Sequence, residues 1–393
     1  MATSRIANSP SLIPIPIPVL PACYLECVNE YRLRLPGPTA IPERVRQAIA
    51  RPVLSHRGPE FTAILRHTED MLQTVMGTRN HLFFFASSGT GMMEAALVNI
   101  LAPGERLLIA VNGAWGERFA DIGRSLGAQV DTIDFSWGYA PDAGEIQRRL
   151  AKADYRAVVV VHNESSTGVT ADLAAIGAVV KDTDTLLVVD SVSGLGGMEM
   201  SQDEWGVDIL IAASQKCLMC PPGLGIVSMS QKAWSVVQRP GGLPRFYFDF
   251  RKARASSDKM ETPFTPPVSL IVGLREALQM IHEEGLDDVI ERHRRLSTFL
   301  QTGCAALGLP PFSTTAELSP TVVCMRVPER LSGNDIVRTL YQRHNTVITG
   351  SRNKLEDRVI RFGTMGQLTT GDIATDLHYL EDTLHHLEAA RAR

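Results

Sequence analysis

Between residues 82 and 229 the chain carries seven short, mostly apolar runs, at 82–86, 107–111, 130–135, 157–161, 186–190, 209–213 and 225–229. A strand that is apolar at every residue rather than at alternate ones is buried on both faces. Runs of this length, separated by helix-sized stretches such as 91–101 with its Pro103-Gly104 stop, predict β-α units around a mostly parallel central sheet. The fold class expected is α/β. Proline and glycine punctuate residues 238–267, predicting a long non-repetitive connection. Beyond it Leu270, Leu274, Leu278 and Ile281 share one helical face, and Val289, His293, Leu296, Leu300 and Cys304 share another. Short apolar runs at 321–326, 346–349 and 359–362 flank a helix over 334–343. The expected organisation is an N-terminal extended arm over 1–34, a large domain over 35–268 and a smaller α/β domain over 269–393.

The fifth and sixth runs end in ionisable side chains. Leu186-Leu187-Val188-Val189 leads into Asp190, and Ile209-Leu210-Ile211-Ala212-Ala213 leads through Ser214-Gln215 into Lys216. An amine desolvated at the end of a buried strand has its charged form disfavoured and can offer free amine to an aldehyde. A carboxylate at a neighbouring strand end can keep a pyridinium nitrogen protonated, and that ring is an electron sink for carbanion chemistry. Singly, each residue also fits a solvated or salt-bridged loop position. Together they point to covalently held pyridoxal phosphate.

The other strand ends carry matching side chains. After the first run, Ser87-Ser88-Gly89-Thr90-Gly91 opens a helix; it suits a phosphate, whose charge the helix N-terminus favours, and it equally suits a plain N-cap. It lacks the third glycine of a dinucleotide fingerprint and the Gly-Lys-Ser/Thr of a P-loop. Asn112-Gly113-Ala114-Trp115-Gly116 places an indole at the next strand end, either to stack on a flat heteroaromatic ring or to pack on the following helix. The fourth run enters the hydroxyl-rich His162-Asn163-Glu164-Ser165-Ser166-Thr167-Gly168, where a hydroxyl can meet a ring oxygen or substrate and His162 reads as a structural hydrogen-bonding residue. A nicotinamide cofactor leaves Lys216 and Asp190 unexplained.

Composition narrows the rest. With 393 residues, 44% hydrophobic and 21% charged, and a net charge of -4, the chain reads as an ordinary globular protein with no basic face for nucleic acid. No apolar stretch reaches the ~18 residues of a membrane span. Alternating prolines in Leu12-Ile13-Pro14-Ile15-Pro16-Ile17-Pro18 forbid a helix there. Six scattered cysteines do not form a disulfide framework, which fits a reducing, cytoplasmic location. Cys217 and Cys220 form a Cys-x-x-Cys with no second pair at zinc-site spacing, so no metal is expected.

Ser88-Gly89-Thr90-Gly91, Asn112-Gly113-x-Trp115-Gly116, His162 to Val169, Val189-Asp190-Ser191-Val192-Ser193 and Ser214-Gln215-Lys216 together resemble the class V aminotransferases of fold type I, and most of all their alanine-glyoxylate and serine-glyoxylate (serine-pyruvate) group. The resemblance runs from Leu35-Pro36-Gly37-Pro38-Thr39 to Arg361-Phe362-Gly363 and on to Gly366. It implies the following roles. Lys216 is the Schiff-base lysine and proton shuttle, Asp190 the pyridinium partner, Trp115 the stacking residue and Ser165 the partner of the ring hydroxyl. Ser88, Gly89, Thr90 and Gln215 hold the phosphate. The family forms homodimers with active sites at the interface, and Thr265 resembles the residue that reaches the neighbour's phosphate. Arg361, with Ser165 and Gly37 nearby, binds the substrate, a planar guanidinium suiting its carboxylate. Arg352 is a second cation, either a further substrate contact as in the related pyridoxamine-pyruvate transaminase or a solvated loop residue. The implied activity moves the amino group of serine or alanine to glyoxylate or pyruvate. A pyridoxal phosphate lyase such as a cysteine desulfurase is the competing enzyme; it needs a mobile-loop cysteine, and Cys324 falls within an expected strand.

Overall fold

The computed structural model describes residues 31–314, 318–351 and 353–391, so the proline-alternating stretch, Cys23, Cys27 and Arg352 lie outside the described residues. Arg32–Arg393 forms one compact unit. At its centre is a seven-stranded sheet of β1 (Leu82–Ser87), β2 (Arg106–Val111), β3 (Gln129–Asp134), β4 (Ala157–Val161), β5 (Leu186–Asp190), β6 (Ile209–Ala213) and β7 (Gly223–Met229). The spatial order is β1-β7-β6-β5-β4-β2-β3. All pairs are parallel except the two made by β7, which is antiparallel to β1 and β6. The exception has a simple cause. Residues 214–222, the link from β6 to β7, are too few for the crossover that a parallel neighbour needs, so the chain folds straight back. That tight link holds Lys216.

Alternate residues of these strands enter opposite cores. Leu187, Val189, Leu210 and Ala212 join one cluster, while Leu186, Val188, Ile209 and Ile211 join another. Each buried Val, Leu or Ile contributes about 1.5–3 kcal/mol. The first cluster is covered by α1 (Pro59–Met76), by α4 (Leu173–Val180) and by α6 (Val268–Glu284); the second by α2 (Gly89–Ile100), α3 (Ala114–Ser125) and α5 (Phe250–Ser257). Gly225 of β7 lets α2 lie close on the sheet: a Cβ there would sit 2.6 Å from Met92 Cγ.

After α6 the chain forms α7 (Leu286–Ala306), β8 (Val322–Arg326), α8 (Gly333–His344), β9 (Thr349–Gly350), β10 (Val359–Gly363) and α9 (Thr370–Arg391). The strands make an antiparallel sheet ordered β8-β10-β9. Ile360 and Phe362 of β10 enter a third core with Leu296, Leu300, Leu340 and Leu380. Arg361, between them, faces away. Arg32–Leu33 pairs in parallel with Thr346–Val347, and the buried Arg34 donates to Asp376 at 2.5 Å. The chain then crosses to the β6–β7 link, where the Thr39 N–H donates to Gln215 O at 3.0 Å.

Two regions depart from expectation. Residues 238–267 are not wholly non-repetitive but contain α5, capped by Asp249. Only Phe250, Ala253 and Ser257 of its eight residues are buried, too little for a visible apolar stripe. The long helix α9 is likewise unforeseen, because Asp376 and Thr383 occupy positions on its buried face. Among the described residues no helix is long and apolar enough to cross a membrane.

Candidate active site

The strand order reverses between β2 and β4, and the C-terminal ends flanking such a point form a crevice. Ser88, Gly89 and Thr90 follow β1, Trp115 follows β2, Ser165 follows β4, Asp190 ends β5, and Gln215 and Lys216 follow β6. All of them line one cavity of about 830 Å³, joined by Gly37 from the crossing segment and Arg361 from β10. Thr265 is exposed and does not line it.

Lys216 and Asp190 are both buried. Desolvation lowers the lysine to about 8 against the opposing pull of the Asp190 carboxylate. Desolvation likewise raises Asp190 to about 6, resisted by the Val192 N–H, which donates to Oδ1 at 2.8 Å, and by Lys216. Lys216 Nζ donates to Pro36 O. Gly37 adopts φ +105 directly over the lysine, where any side chain would overlap Lys216 Cδ and Nζ. Burial thus favours the free amine more than in an ordinary lysine, and the glycine at 37 leaves room for the side chain.

At the β1 end the two readings of the loop coincide. Ser88 is the N-cap of α2, its hydroxyl accepting from the Gly91 N–H at 3.2 Å, and the same residues line the cavity. Thr90 Oγ1 accepts from Arg118 at 2.8 Å, and the Arg118 guanidinium lies 4.3 Å from the Trp115 ring centroid. Arg118 is a cation beside Thr90 that sequence reasoning missed. Its only signal is its position on α3, three residues after Trp115, on the same helical face. Gln215 Oε1 is buried with no hydrogen-bond partner among the described residues.

Trp115 faces the cavity, and its indole N–H donates to Ser165 Oγ at 2.7 Å. Ser165 therefore accepts from the indole and keeps its own proton for a ligand. Arg361 donates to Gly350 O at 2.7 and 3.1 Å and to Ser165 O at 2.8 Å, which orients the guanidinium. His162 is buried beneath the site with Nδ1 2.9 Å from Ser191 Oγ, and burial lowers it to about 4. Cys217, Cys220 and Cys324 are buried free thiols, and burial pushes each up to about 12. Cys324 sits within β8, away from the loop position that a desulfurase requires.

These residues fit pyridoxal phosphate as a donor set. They provide an amine lowered to about 8, a carboxylate, an indole face, a hydroxyl proton and a helix N-terminus with a cation beside it, and Gln215 lines the same cavity. A family model described as "Aminotransferase class-V" matches residues 39–365. The chain is 37% identical over 351 residues to the serine-glyoxylate aminotransferase of Methylorubrum extorquens, covering 86% of each protein. To the L-aspartate-glyoxylate aminotransferase of Paracoccus denitrificans it is 36% identical over 342 residues, covering 85% of this chain and 86% of the relative. Its fold is similar to that of the ureidoglycine-glyoxylate aminotransferase of Bacillus subtilis, with a TM-score of 0.88 and 30% identity over 92% of this chain and 94% of that one. The chain belongs to the class V aminotransferases, enzymes of fold type I that depend on pyridoxal 5'-phosphate.

Proposed function

We propose that the enzyme transfers the amino group of a small L-amino acid, serine or alanine, to glyoxylate or pyruvate, with its cofactor attached through Lys216. The observation that carries this reading is the meeting of Lys216, Asp190 and Arg361 in one cavity. When bound, pyridoxal phosphate supplies the aldehyde that takes up the donor's nitrogen and the ring that accepts the electrons of the Cα–H bond. Lys216 carries the Cα proton, a task for which a base near the working pH is best suited. Asp190 holds the ring nitrogen's proton. Trp115 covers the ring face, Ser165 donates to the ring oxygen, and Ser88, Gly89, Thr90, Gln215 and Arg118 hold the phosphate. Arg361 grips the substrate carboxylate, and the carbonyls that orient it leave it preorganised for that contact. The same reading makes the protein a homodimer, with Thr265 reaching the neighbouring site; its exposure outside its own chain's cavity agrees.

The glyoxylate in the names of all three similar proteins supports that acceptor, while their donors differ. A panel of serine, alanine and aspartate against glyoxylate and pyruvate decides. Serine or alanine should exceed aspartate by about tenfold or more in kcat/KM, a discrimination of the size that a few pocket contacts supply. An aspartate preference overturns the donor assignment. Arg361→Leu should lower kcat/KM for every donor by about ten- to a hundredfold, the loss of a hydrogen-bonded charged contact.

The lowered lysine gives a pH signature. Only the free amine attaches the cofactor, so capture of pyridoxal phosphate by the cofactor-free protein should rise with pH and level off above about 8. In the folded chain Lys216 binds fewer protons than in the unfolded chain between about 8 and its ordinary 10.5, so this group makes stability rise with pH over that interval. Stopped-flow absorbance from pH 6 to 10 checks the first expectation; a flat profile defeats it.

A further inference from the structure

Among the buried ionisable groups that this chemistry leaves unused, Glu164 has the most specific surroundings. It is fully buried, and among the described residues no cation pairs with it. Its carboxylate accepts only. Oε2 takes the backbone N–H groups of Trp115 at 3.0 Å and Gly116 at 3.4 Å, and Oε1 takes the Ser166 N–H at 3.0 Å and the Ser166 hydroxyl at 2.5 Å. Burial raises Glu164 to about 7 while these four donors pull it down.

The first two donors belong to the opening turn of α3, whose own N-cap, Gly113, offers no side-chain cap. Helix N-termini leave N–H groups unsatisfied and favour negative charge. Here the cap comes from a different element, the short hairpin after β4, in which Asn163–Glu164 pairs antiparallel with Val169–Thr170. Ser166 Oγ completes it by accepting the Ala114 N–H at 3.0 Å. Gly113 has to be glycine for this approach, because a side chain there would overlap Glu164 Cγ, Glu164 Cδ and Ser166 Oγ.

The two elements that Glu164 joins carry the two residues proposed to frame the cofactor ring. Trp115 lies on one and Ser165 on the other, and the indole N–H to Ser165 Oγ bond spans them at 2.7 Å. The Ser165 carbonyl also orients Arg361. A carboxylate that fastens the backbone on both sides of that bond fixes its geometry.

We propose that Glu164 is a positioning residue, an internal helix cap that locks α3 to hairpin residues 163–166 and so holds Trp115 and Ser165 in register with the cofactor ring. The proposal rests on the reading that those two residues frame the ring. Glu164→Gln keeps the volume but turns an NH₂ group toward one of the N–H donors.

The test compares purified holoenzymes of wild type, Glu164→Gln, Trp115→Leu, Ser165→Ala and the double variant Glu164→Gln/Trp115→Leu. Glu164→Gln should raise the dissociation constant of pyridoxal phosphate by about tenfold and weaken the visible circular dichroism per bound cofactor, with kcat falling more than KM changes. In the double variant the two losses should be far from additive, since one residue acts through the other. If Glu164→Gln lowers only Tm and leaves the dissociation constant and dichroism per bound cofactor at wild-type values, the residue is merely structural and the proposal fails. If Trp115→Leu and Ser165→Ala leave cofactor affinity unchanged, the reading of the site itself fails, and the proposal with it. Should Glu164→Gln not fold, Ser166→Ala removes part of the same cap and should shift affinity in the same direction by about threefold; no shift overturns the proposal.

Discussion

Lys216→Ala should yield a folded protein that releases pyridoxal phosphate on gel filtration, lacks the visible absorption of covalently attached cofactor, and turns over more slowly by at least about 10²- to 10⁴-fold. The magnitude follows from two roles resting on one amine. Attachment holds the aldehyde in place, and the freed amine then carries a proton to and from Cα. Folding should survive, because the side chain hydrogen-bonds to the single carbonyl of Pro36 and burying an amine opposes its charged form. A thermal melt alongside the absorption spectrum separates loss of chemistry from loss of structure. Full turnover by the variant would sink the assignment.

Asp190→Asn is the second large effect, expected at about 10²- to 10³-fold in kcat, the scale of removing one preorganised electrostatic contact from a water-poor site. The amide is nearly isosteric and keeps an oxygen for the Val192 N–H, so packing is preserved while the charge goes. The ring nitrogen then loses the partner that holds its proton. Lys216 also loses the carboxylate that raises its pKa, so its titration should move below about 8. Pre-steady-state absorbance of the half-reaction with serine, measured across pH, reads both changes. A variant whose half-reaction proceeds at the wild-type rate would show that Asp190 has no such role.

The strands were legible because both faces of the sheet are covered. Burial on both sides removes the polar alternation of an ordinary strand and leaves runs such as 157–161 and 186–190 that read as uninterrupted apolar sequence. The polar residue at the end of each run then stands out, which is how Asp190 and Lys216 were found. Arg118 and Glu164 escaped for the opposite reason. Arg118 sits in an ordinary amphipathic helix, where an arginine signals solvent. Glu164 sits at the edge of a hydroxyl-rich turn, and its partners Trp115 and Gly116 are far away in sequence. No local pattern announces a helix cap supplied by another strand.

The sequence by itself determined the α/β class, the positions of the seven strands and the residue types gathered at their ends, since hydrophobic periodicity and turn residues act over a few positions. Only the tertiary structure decided which of those ends meet. The reversal of strand order between β2 and β4 and the place of β7 between β1 and β6 depend on how the elements pack on a sheet. So do the arrival of Gly37 over Lys216 and of Arg361 beside Ser165. The perturbed state of Lys216 and Asp190 is tertiary too: identical residues on a solvated loop would titrate normally, and only enclosure at the end of a covered sheet moves them toward neutrality.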